Sequence, residues 1–482
     1  MSGFPPLVAG GDGMDRYPAS SEPLRRRMAE VYGVDPPQLL PVRGATHGLE
    51  LVLRAARLAG GRRVSGDMFG LDRLAVIYGF EHAETAAHVH VIASPDEVEG
   101  RVIAAEAAPA LAAEAGLLVV DESAIEFAES PSLAPLTATL PNLVVLRSLS
   151  LAYGLPGVRC GAVIASQALI ARLEHMLEPH PLPAPTLRAA EAVLSPSRAL
   201  ALDARVELVR AERKRVRAGL SAAGVAVGVP ARAGQSPSLF VAAPPAGVLD
   251  RLTRYGVEAR PAGRGLVLPI GTPEANDRLL AAFGVTSRTA PRRRGEAVRD
   301  TKETRIVATV DLDRAGDTAV KTGVGFFDHM LEQVAVHGGF SLRLACDGDL
   351  HIDPHHTIED STLAFGAALR QALGDKAGIG RYGFVAPMDE AEAALSLDLG
   401  GRPFTVFEGV FATDRIGDYP TALTAHVFRS LADSLGAAIH VRVTGEDDHH
   451  KTEICFKALG RALRQAIRVE GSALPSTKGM IA

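Results

Sequence analysis

The sequence predicts an α/β domain followed by an α+β domain made of two similar halves. Three observations lead to this fold class. In the first part of the chain, short apolar runs alternate with helix-like stretches; in the last part, apolar and polar residues alternate along strand-like segments. A segment with paired histidines also occurs twice in the last part. A chain of 482 residues is too long for a single hydrophobic core, which agrees with two domains.

Composition narrows the function classes. The hydrophobic share of 47% and the charged share of 22% are typical of globular proteins. A formal net charge of -5 supplies no large basic field, so we expect no nucleic-acid partner. The three cysteines lie far apart and favour a reducing compartment. The first residues have no basic stretch before an apolar one, and no apolar run reaches membrane-spanning length, so we expect a cytoplasmic protein without a membrane partner.

The clearest domain boundary is a polar, arginine-rich stretch at residues 286–300, which we interpret as a linker. Domains at 1–285 and 301–482 follow from it. In the first domain, helix-like stretches at Ala45–Ala59, Pro95–Ala115 and Leu187–Ala223 separate apolar runs such as "GLLVVDE" and "NLVVLRS". Apolar runs separated by helices predict parallel strands that are covered on both faces.

In the second domain, segments such as "TRIVATVDLD" and "IHVRVTGE" alternate in the manner of half-exposed strands, and amphipathic stretches lie between them. This pattern predicts helices packed on sheets.

The second domain repeats itself. "HHTIEDSTLAFGAALRQAL" begins at His355, and "HHKTEICFKALGRALRQAI" begins 94 residues later at His449. Upstream of the two copies, His329 aligns with His426. The repeat predicts two half-domains related by a pseudo-twofold axis.

The spacing within each copy is typical of metal ligands. On a helix, His355 and Glu359 are four residues apart and share a face, whereas His356 is turned by about 100° and favours a different ion. The same relation holds in the second copy. Three imidazoles and one carboxylate per ion suit Mn²⁺, Fe²⁺ or Zn²⁺, and open positions for a substrate favour manganese. The predicted metal ligands are His329, His355, His356, Glu359, His426, His449, His450 and Glu453.

From about Arg299 onward the chain resembles imidazoleglycerol-phosphate dehydratase. The motifs that carry the resemblance include "TKET", "TGVGFFDHMLEQVAVHG", "DPHHTIED", "PMDEAEA", "GEDDHHKTEICFKA" and "PSTKG". The resemblance implies a hydro-lyase of histidine biosynthesis that dehydrates imidazoleglycerol phosphate to imidazole acetol phosphate. It also implies two metal ions per active site that stabilise an imidazolate form of the substrate, and a large homo-oligomer with metal sites at subunit interfaces.

The resemblance also assigns roles to individual residues. It implies that one ion binds His329, His356, His450 and Glu453, and that the other binds His355, Glu359, His426 and His449. The implied catalytic residues are Glu303, His337 and Glu453. The implied substrate and phosphate ligands are Gln333, Arg381, Arg402, Lys457, Ser476, Thr477 and Lys478.

The first domain resembles histidinol-phosphate aminotransferase, a fold-type I enzyme that uses pyridoxal phosphate. "LLVVDESAIEF" corresponds to the strand whose aspartate, here Asp121, pairs with the pyridine nitrogen, and "LRSLSLAYGLPGVRCG" corresponds to the lysine loop, with Arg159 at the phosphate. The chemical residues are missing at three matching positions. Leu151 stands in place of the Schiff-base lysine, Ala124 in place of a tyrosine and Val267 in place of the carboxylate-binding arginine.

Without an amine at position 151 transamination has no covalent anchor, so we expect a catalytically inactive first domain and no pyridoxal phosphate. Lys214 lies in the charged segment "AERKRVR" and is expected to be solvated. Three alternatives stay open. The first domain could retain residual aminotransferase activity, it could sense a ligand such as a phosphorylated imidazole, or the whole chain could be a non-catalytic metal-binding assembly protein.

Overall fold

The computed structural model describes residues 17–471, apart from 19, 69, 99, 228–234 and 286–292. The chain forms two compact units: unit 1 is Met1–Ser195 with Arg205–Thr289, and unit 2 is Pro196–Ala204 with Ala290–Ala482. Within the described ranges, no helix has the length and apolar character needed to cross a membrane.

Unit 1 contains a seven-stranded sheet with the order β1-β7-β6-β5-β4-β2-β3 and a three-stranded sheet with the order β8-β10-β9. In the large sheet, strands β2 to β6 are mutually parallel where they pair, and β7 and β1 are antiparallel to their neighbours. All six residues of β6 are buried, as expected for a strand covered on both faces. The bounds are β1 Leu39–Val42, β2 Arg63–Asp67, β3 Glu81–His82, β4 Val89–Ala93, β5 Leu117–Asp121, β6 Leu143–Ser148, β7 Gly161–Ala165, β8 Ser238–Val241, β9 Arg260–Ala262 and β10 Gly265–Pro269.

The helices confirm one of the three predicted helical stretches and correct the other two. The stretch at 45–59 is helix α2, but most of 95–115 is a loop, because the Asp96 carboxylate accepts from the backbone N–H groups of Val98 and Arg101 and closes a turn. Pro196 divides the third stretch into two helices. The bounds are α1 Glu22–Tyr32, α2 Ala45–Leu58, α3 Leu71–Tyr78, α4 Ala108–Ala113, α5 Gln167–Glu174, α6 Ala184–Val193, α7 Ala199–Ala222, α8 Val248–Arg254 and α9 Pro273–Ala282.

Unit 2 contains two four-stranded sheets of the same topology, which confirms the predicted pseudo-symmetric halves. Their orders are β11-β12-β14-β13 and β15-β16-β20-β17. In each sheet one edge strand, β13 or β17, runs parallel to its neighbour, β14 or β20. All the other strand pairs of these two sheets are antiparallel. The bounds are β11 Arg294–Asp300, β12 Thr304–Asp311, β13 Ala319–Lys321, β14 Ser341–Gly348, β15 Tyr382–Met388, β16 Ala391–Asp398, β17 Phe404–Glu408, β18 Arg415–Ile416, β19 Tyr419–Pro420 and β20 Ala438–Thr444.

Four helices pack on these sheets: α10 Gly325–Gly338, α11 His355–Leu373, α12 Leu423–Leu435 and α13 Asp448–Ala466. Alternate residues of β16 are buried beneath the helices and exposed on the other face. Helix α10 packs against α13, and α11 packs against α12, so each pair joins the two halves. A single hydrophobic core therefore includes residues of both halves. The paired histidines lie at the first turn of α11 and α13.

The predicted linker at 286–300 is wrong at its C-terminal end. Residues 286–292 lie outside the described residues, but Arg294–Asp300 forms β11, which pairs residue by residue with β12. This strand lies at the edge of its sheet and is exposed on alternate residues, so arginine and glutamate are tolerated there. The folded part of unit 2 therefore begins several residues before the predicted boundary at 301.

Gly295 of β11 is required by a close approach. A Cβ at this position would lie 2.0 Å from the backbone oxygen of Ala368 in α11. We expect Gly295→Ala to lower the free energy of unfolding by about 1–3 kcal/mol, because the strand or the helix must shift. Urea unfolding of the full chain checks this prediction. Gly471→Ala is the control, because a Cβ there meets nothing within 4 Å; equal stability of the two variants would contradict the prediction.

Candidate metal centre

Three predicted ligands meet between α11 and α12. The Glu359 carboxylate lies 3.4 Å from Nε2 of His355 and 3.5 Å from Nε2 of His426. Among the described residues, these three form a group that could hold a metal ion, because one ligand atom from each lies within 4.8 Å of the other two. Nε2 of His426 is buried and makes no hydrogen bond, although it lies near a carboxylate. A buried imidazole nitrogen that is left open beside a carboxylate fits a metal ligand.

A carboxylate at the start of each helix holds the paired histidines in the first turn. Asp353 accepts from the backbone N–H of His355 at 2.7 Å. Asp447 does the same for His449 at 2.7 Å and accepts from the N–H of His450 at 3.4 Å. Each carboxylate stabilises the free N–H groups of the helix terminus, and the helix then places the histidine and the glutamate four residues later on one face.

The second half repeats the arrangement with one difference. Nε2 of His449 lies 3.3 Å from the Glu453 carboxylate, as the helical spacing predicts. Here Nζ of Lys457 also contacts that carboxylate, at 2.8 Å. Burial alone would raise the pKa of Glu453, but the hydrogen bond and charge of Lys457, with the charges of His329 and His449, lower it. The glutamate of the second half therefore has a cationic neighbour, whereas the position that corresponds to Lys457 in the first half is Leu363.

The second histidine of each pair points elsewhere. Nδ1 of His356 lies 3.1 Å from Asp349, and Nδ1 of His450 lies 2.8 Å from Glu390. Within one chain, Glu453 is therefore next to His449 and not next to His450, because successive helical residues are turned by about 100°. The partition of ligands that the resemblance implied places the metal sites at subunit interfaces, so it stays a prediction.

Sequence reasoning missed Asp349 and Glu390. Both accept from Nδ1 of a predicted ligand, which leaves Nε2 available for an ion. The hydrogen bond to His450 lowers the pKa of Glu390 to about 2, and the same contact raises the pKa of His450. The repeat contained the signal for Glu390, because the β15–β16 turn corresponds to the β11–β12 turn that carries Glu303.

The predicted catalytic residues lie near these histidines. Glu303 lies 4.0 Å from Nε2 of His356, and its turn is tied to α11 by a hydrogen bond of 2.6 Å from Thr304 to Asp360. Nε2 of His337 lies 3.1 Å from Oε1 of Gln333, whose amide nitrogen in turn lies 3.5 Å from Nε2 of His329. Burial and the neighbouring cations of Lys457 and Arg461 lower the pKa of His337, although Glu453 opposes them. These neighbours therefore favour the neutral form of His337.

Three of the predicted phosphate ligands, Arg381, Arg402 and Lys457, lie within the described residues. Arg381 forms an ion pair with Asp398 at 2.6 Å, and Arg402 is exposed. Lys457 lies between Glu453 and the sulfur of Met388. Ser476, Thr477 and Lys478 lie outside the described residues.

Comparisons with known proteins agree with this geometry. The family model of imidazoleglycerol-phosphate dehydratase matches residues 322–463, which include all eight predicted metal ligands. The C-terminal unit belongs to the imidazoleglycerol-phosphate dehydratase family. The family model of aminotransferase class I and II matches residues 67–239. The predicted fusion of a dehydratase domain to an aminotransferase-like domain is thus confirmed.

Individual relatives cover the two units separately. The chain is 61% identical over 183 residues to the histidine biosynthesis bifunctional protein HisB of Stenotrophomonas maltophilia, which is 38% of this chain and 51% of that protein. The chain thus spans about half the length of the curated relatives it matches. The chain is also similar to the imidazoleglycerol-phosphate dehydratase of Pyrococcus furiosus, whose crystal structure is known. The sequence identity is 34%, the match covers 38% of this chain and 99% of that one, and the TM-score is 0.34.

Unit 1 has the fold of fold-type I aminotransferases. The histidinol-phosphate aminotransferase of Clostridium acetobutylicum covers 57% of this chain and 91% of its own, with a TM-score of 0.50. At 16% identity this likeness concerns the fold alone. Leu151 lies at the wall of a cavity and is 47% exposed, Lys214 is exposed, and Val267 is buried in β10. Arg159 donates to the backbone oxygen of Pro156 at 3.1 Å.

The two newly found carboxylates give a testable prediction. We expect Glu390→Ala, and equally Asp349→Ala, to weaken divalent-metal binding by about 10–100-fold, because His450 or His356 loses the partner that orients it. Metal content after dialysis against graded chelator concentrations measures the effect. Glu408→Ala is the matched control, since Glu408 forms its ion pair with Arg442 on the neighbouring strand β20 and is not one of the carboxylates that hold a predicted ligand. Metal retention equal to that of the control would contradict the orienting role.

Proposed function

We propose that unit 2 dehydrates imidazoleglycerol phosphate to imidazole acetol phosphate in histidine biosynthesis. The observation that carries the proposal is the cluster of His355, Glu359 and His426 in a domain of this family. The relatives are named as histidine biosynthesis proteins, which agrees with the proposal. The reaction removes a hydroxyl and a proton from carbons that no carbonyl activates, so a positioned acid–base group and an electrophile at the imidazole ring are both required.

Two divalent ions, which we propose to be manganese, would supply Lewis acidity at the imidazole ring of the substrate. The fit rests on the donor set: imidazoles and a carboxylate together suit manganese, and Nε2 of His426 is open for a ligand bond. With the partition that the resemblance implies, His355, Glu359, His426 and His449 would hold one ion, and His329, His356, His450 and Glu453 would hold the other. His355, Glu359 and His426 already lie together within one chain.

The second histidine of each pair favours an assembly. A carboxylate holds His356 and His450 through Nδ1, apart from the cluster of His355, Glu359 and His426, and leaves Nε2 available for an ion. We propose that each completes a site on another copy of the chain, which gives a large homo-oligomer with metal sites at subunit interfaces. Such a site would have the predicted three imidazoles and one carboxylate.

Proton transfer is assigned to groups of the chain itself. Glu303, on the turn between β11 and β12, would accept the proton from the substrate carbon. His337, whose Nε2 contacts Oε1 of Gln333, would bind the glycerol hydroxyls. Glu453 would contribute to catalysis as a metal ligand. The phosphate dianion would bind Arg381, Arg402 and Lys457, together with Ser476, Thr477 and Lys478.

Unit 1 is proposed to be catalytically inactive. Leu151 lines a cavity at the end of the parallel strands, where the resemblance implies an imine-forming lysine, and Lys214 lies on an exposed face of α7. Residual aminotransferase activity is the alternative. Borohydride reduces an imine to a stable bond. If treatment with pyridoxal phosphate and borohydride left the label on unit 1, this result would support that alternative. A wholly non-catalytic metal-binding assembly protein is the other alternative, and an activity assay excludes or supports it.

Removing a central ligand tests the proposed function. We expect His426→Gln to lose one class of metal site per chain and to reduce dehydratase activity at least about 100-fold, because the developing charge on the ring is no longer stabilised. Metal analysis and formation of imidazole acetol phosphate with added Mn²⁺ are the measurements. His440→Gln is the control, since His440 is an exposed histidine of β20 outside the ligand set. Absence of product from the fully metallated wild-type chain would refute the dehydratase proposal.

A second variant separates proton transfer from metal binding. Glu303→Gln is expected to lower kcat by about 10²–10⁴-fold while metal content stays unchanged, because the amide cannot accept a proton. The matched control is Glu296→Gln on the neighbouring strand β11, where the side chain is exposed. A kcat near the wild-type value would show that another group moves the proton.

A further inference from the structure

One short segment of unit 2 is distant in sequence from the rest of that unit. Unit 2 includes Pro196–Ala204 as well as the chain from Ala290 onward, and the residues between these two parts belong to unit 1. The segment contains a 3₁₀ helix, Pro196–Arg198, which packs against β12 and β14. It lies outside residues 322–463, the range that the dehydratase family model matches. The proposed reaction has so far given this segment no role.

The sheet on which the 3₁₀ helix packs differs from the corresponding sheet of the second half. Strand β16 is exposed on alternate residues, as expected for a sheet with one solvated face. Its counterpart β12 is not. Val307 and Thr309 of β12 point away from Ile306, which lies in the common core, yet they are only 3% and 6% exposed. Both faces of the first sheet are therefore covered at these residues.

The 3₁₀ helix ends in an arginine that holds the end of strand β11. Nη2 of Arg198 lies 2.9 Å and 3.0 Å from the two carboxylate oxygens of Asp300, and both residues belong to unit 2. Asp300 is the last residue of β11, which is an edge strand and has a neighbouring strand on one side only. The Asp300 carboxylate is half-exposed, so the ion pair is expected to add little to the stability of the whole domain. Its effect is expected to be local, on the position of the strand end.

The end of β11 leads directly into the turn that carries the proposed base. The backbone N–H of Thr301 donates to the backbone oxygen of Thr304 at 2.8 Å, and the N–H of Glu303 donates to Oγ1 of Thr301 at 3.1 Å. The backbone oxygen of Glu303 accepts from the N–H of Asp349 at 3.1 Å, and the carboxylate of Asp349 contacts Nδ1 of His356. The turn is thus connected both to the proposed base and to the residue that orients a predicted metal ligand.

The turn is anchored on both sides. After it, the hydroxyl of Thr304 donates to Asp360 of α11 at 2.6 Å. Before it, Asp300 is held by Arg198. A turn that is fixed at both ends has fewer arrangements, and a displacement of about 1 Å in a reacting group can lower a rate about 100-fold. The contact at Asp300 therefore bears on where the Glu303 carboxylate lies.

We propose that Arg198 is a positioning residue of the dehydratase reaction. It fixes the end of β11 through Asp300 and so keeps Glu303 in place to accept the proton from the substrate carbon. Arg198 itself takes no part in proton transfer or in metal binding. This inference rests on the proposed function of unit 2. It gives the segment Pro196–Ala204 a task in catalysis, although the segment is far from the catalytic turn in sequence.

A double-mutant cycle on the full chain tests the proposal. Arg198→Gln and Asp300→Asn are each expected to lower kcat about 5–20-fold, with KM and metal content unchanged, because the base is displaced while the predicted phosphate and metal ligands are retained. The double variant should be no slower than either single variant, since both residues act through one contact. Arg198→Lys, which keeps the charge, should restore most of the activity. Arg442→Gln, which removes the ion pair with Glu408 in the second half, is the matched control and should keep the wild-type kcat.

Amide hydrogen exchange measures the turn without requiring activity. In Arg198→Gln and in Asp300→Asn, the peptide that contains residues 300–304 is expected to exchange at least about threefold faster, while a peptide from α11 exchanges as in the wild type. Asp300→Asn changes a half-exposed side chain and so provides the test even if Arg198→Gln fails to fold.

Two results would overturn the positioning role: unchanged exchange of the turn in both variants, or decreases in kcat that multiply in the double variant. A wild-type chain that forms no product would refute the dehydratase proposal instead, and the exchange rates would still decide whether Arg198 holds the turn.

Discussion

The pairing of an imidazole with a carboxylate one helical turn later is the interaction on which the candidate metal centre depends. His355 with Glu359, and His449 with Glu453, lie on the first turns of α11 and α13, and an aspartate at the start of each helix holds those turns. A helix end has free N–H groups that need a partner, so the capping carboxylates position the ligands as well as stabilising the helices. The other helices matter because α12 supplies His426 to α11, and α10 supplies His329 to the neighbourhood of α13. The joint core of the two halves keeps these pairs in place.

Duplication of the half-domain explains why the ligands come in two sets, but the sets are not equivalent. Lys457 contacts Glu453, whereas Leu363 stands at the matching position four residues after Glu359. The carboxylate of the second half thus has a competing cation, and the first half brings its three ligands together without one. The two halves therefore place corresponding predicted ligands beside different neighbours, which would make the two proposed sites electrostatically unequal.

Much of this arrangement could be predicted from the sequence, for physical reasons. The 94-residue repeat with helical spacing was sufficient to predict that His355 lies next to Glu359 and His449 next to Glu453, since a shared helix face depends only on local geometry. The orientation of His356 and His450 depends on Asp349, which follows β14, and on Glu390, which lies 60 residues from His450, so spacing along one helix could not find them. Likewise, β11 was assigned to a linker because its polar residues are tolerated at a sheet edge, a position that only the tertiary structure reveals. The helix predicted at 95–115 failed because the Asp96 side chain closes a turn.

Loss of a chemical group does not remove the cavity in which the group acted. The cavity of unit 1 arises from topology, because parallel strands that end at one edge of a sheet leave a concave space between the loops that follow them. Leu151, at the position where the resemblance implies a lysine, contributes an apolar side chain to the wall of that space, and the buried strand β6 beneath is fully apolar or paired whichever residue stands there. The wall also includes Arg101 and Arg260, which form ion pairs with carboxylates. A leucine at position 151 therefore leaves the space without an amine that could form an imine, while the space itself remains.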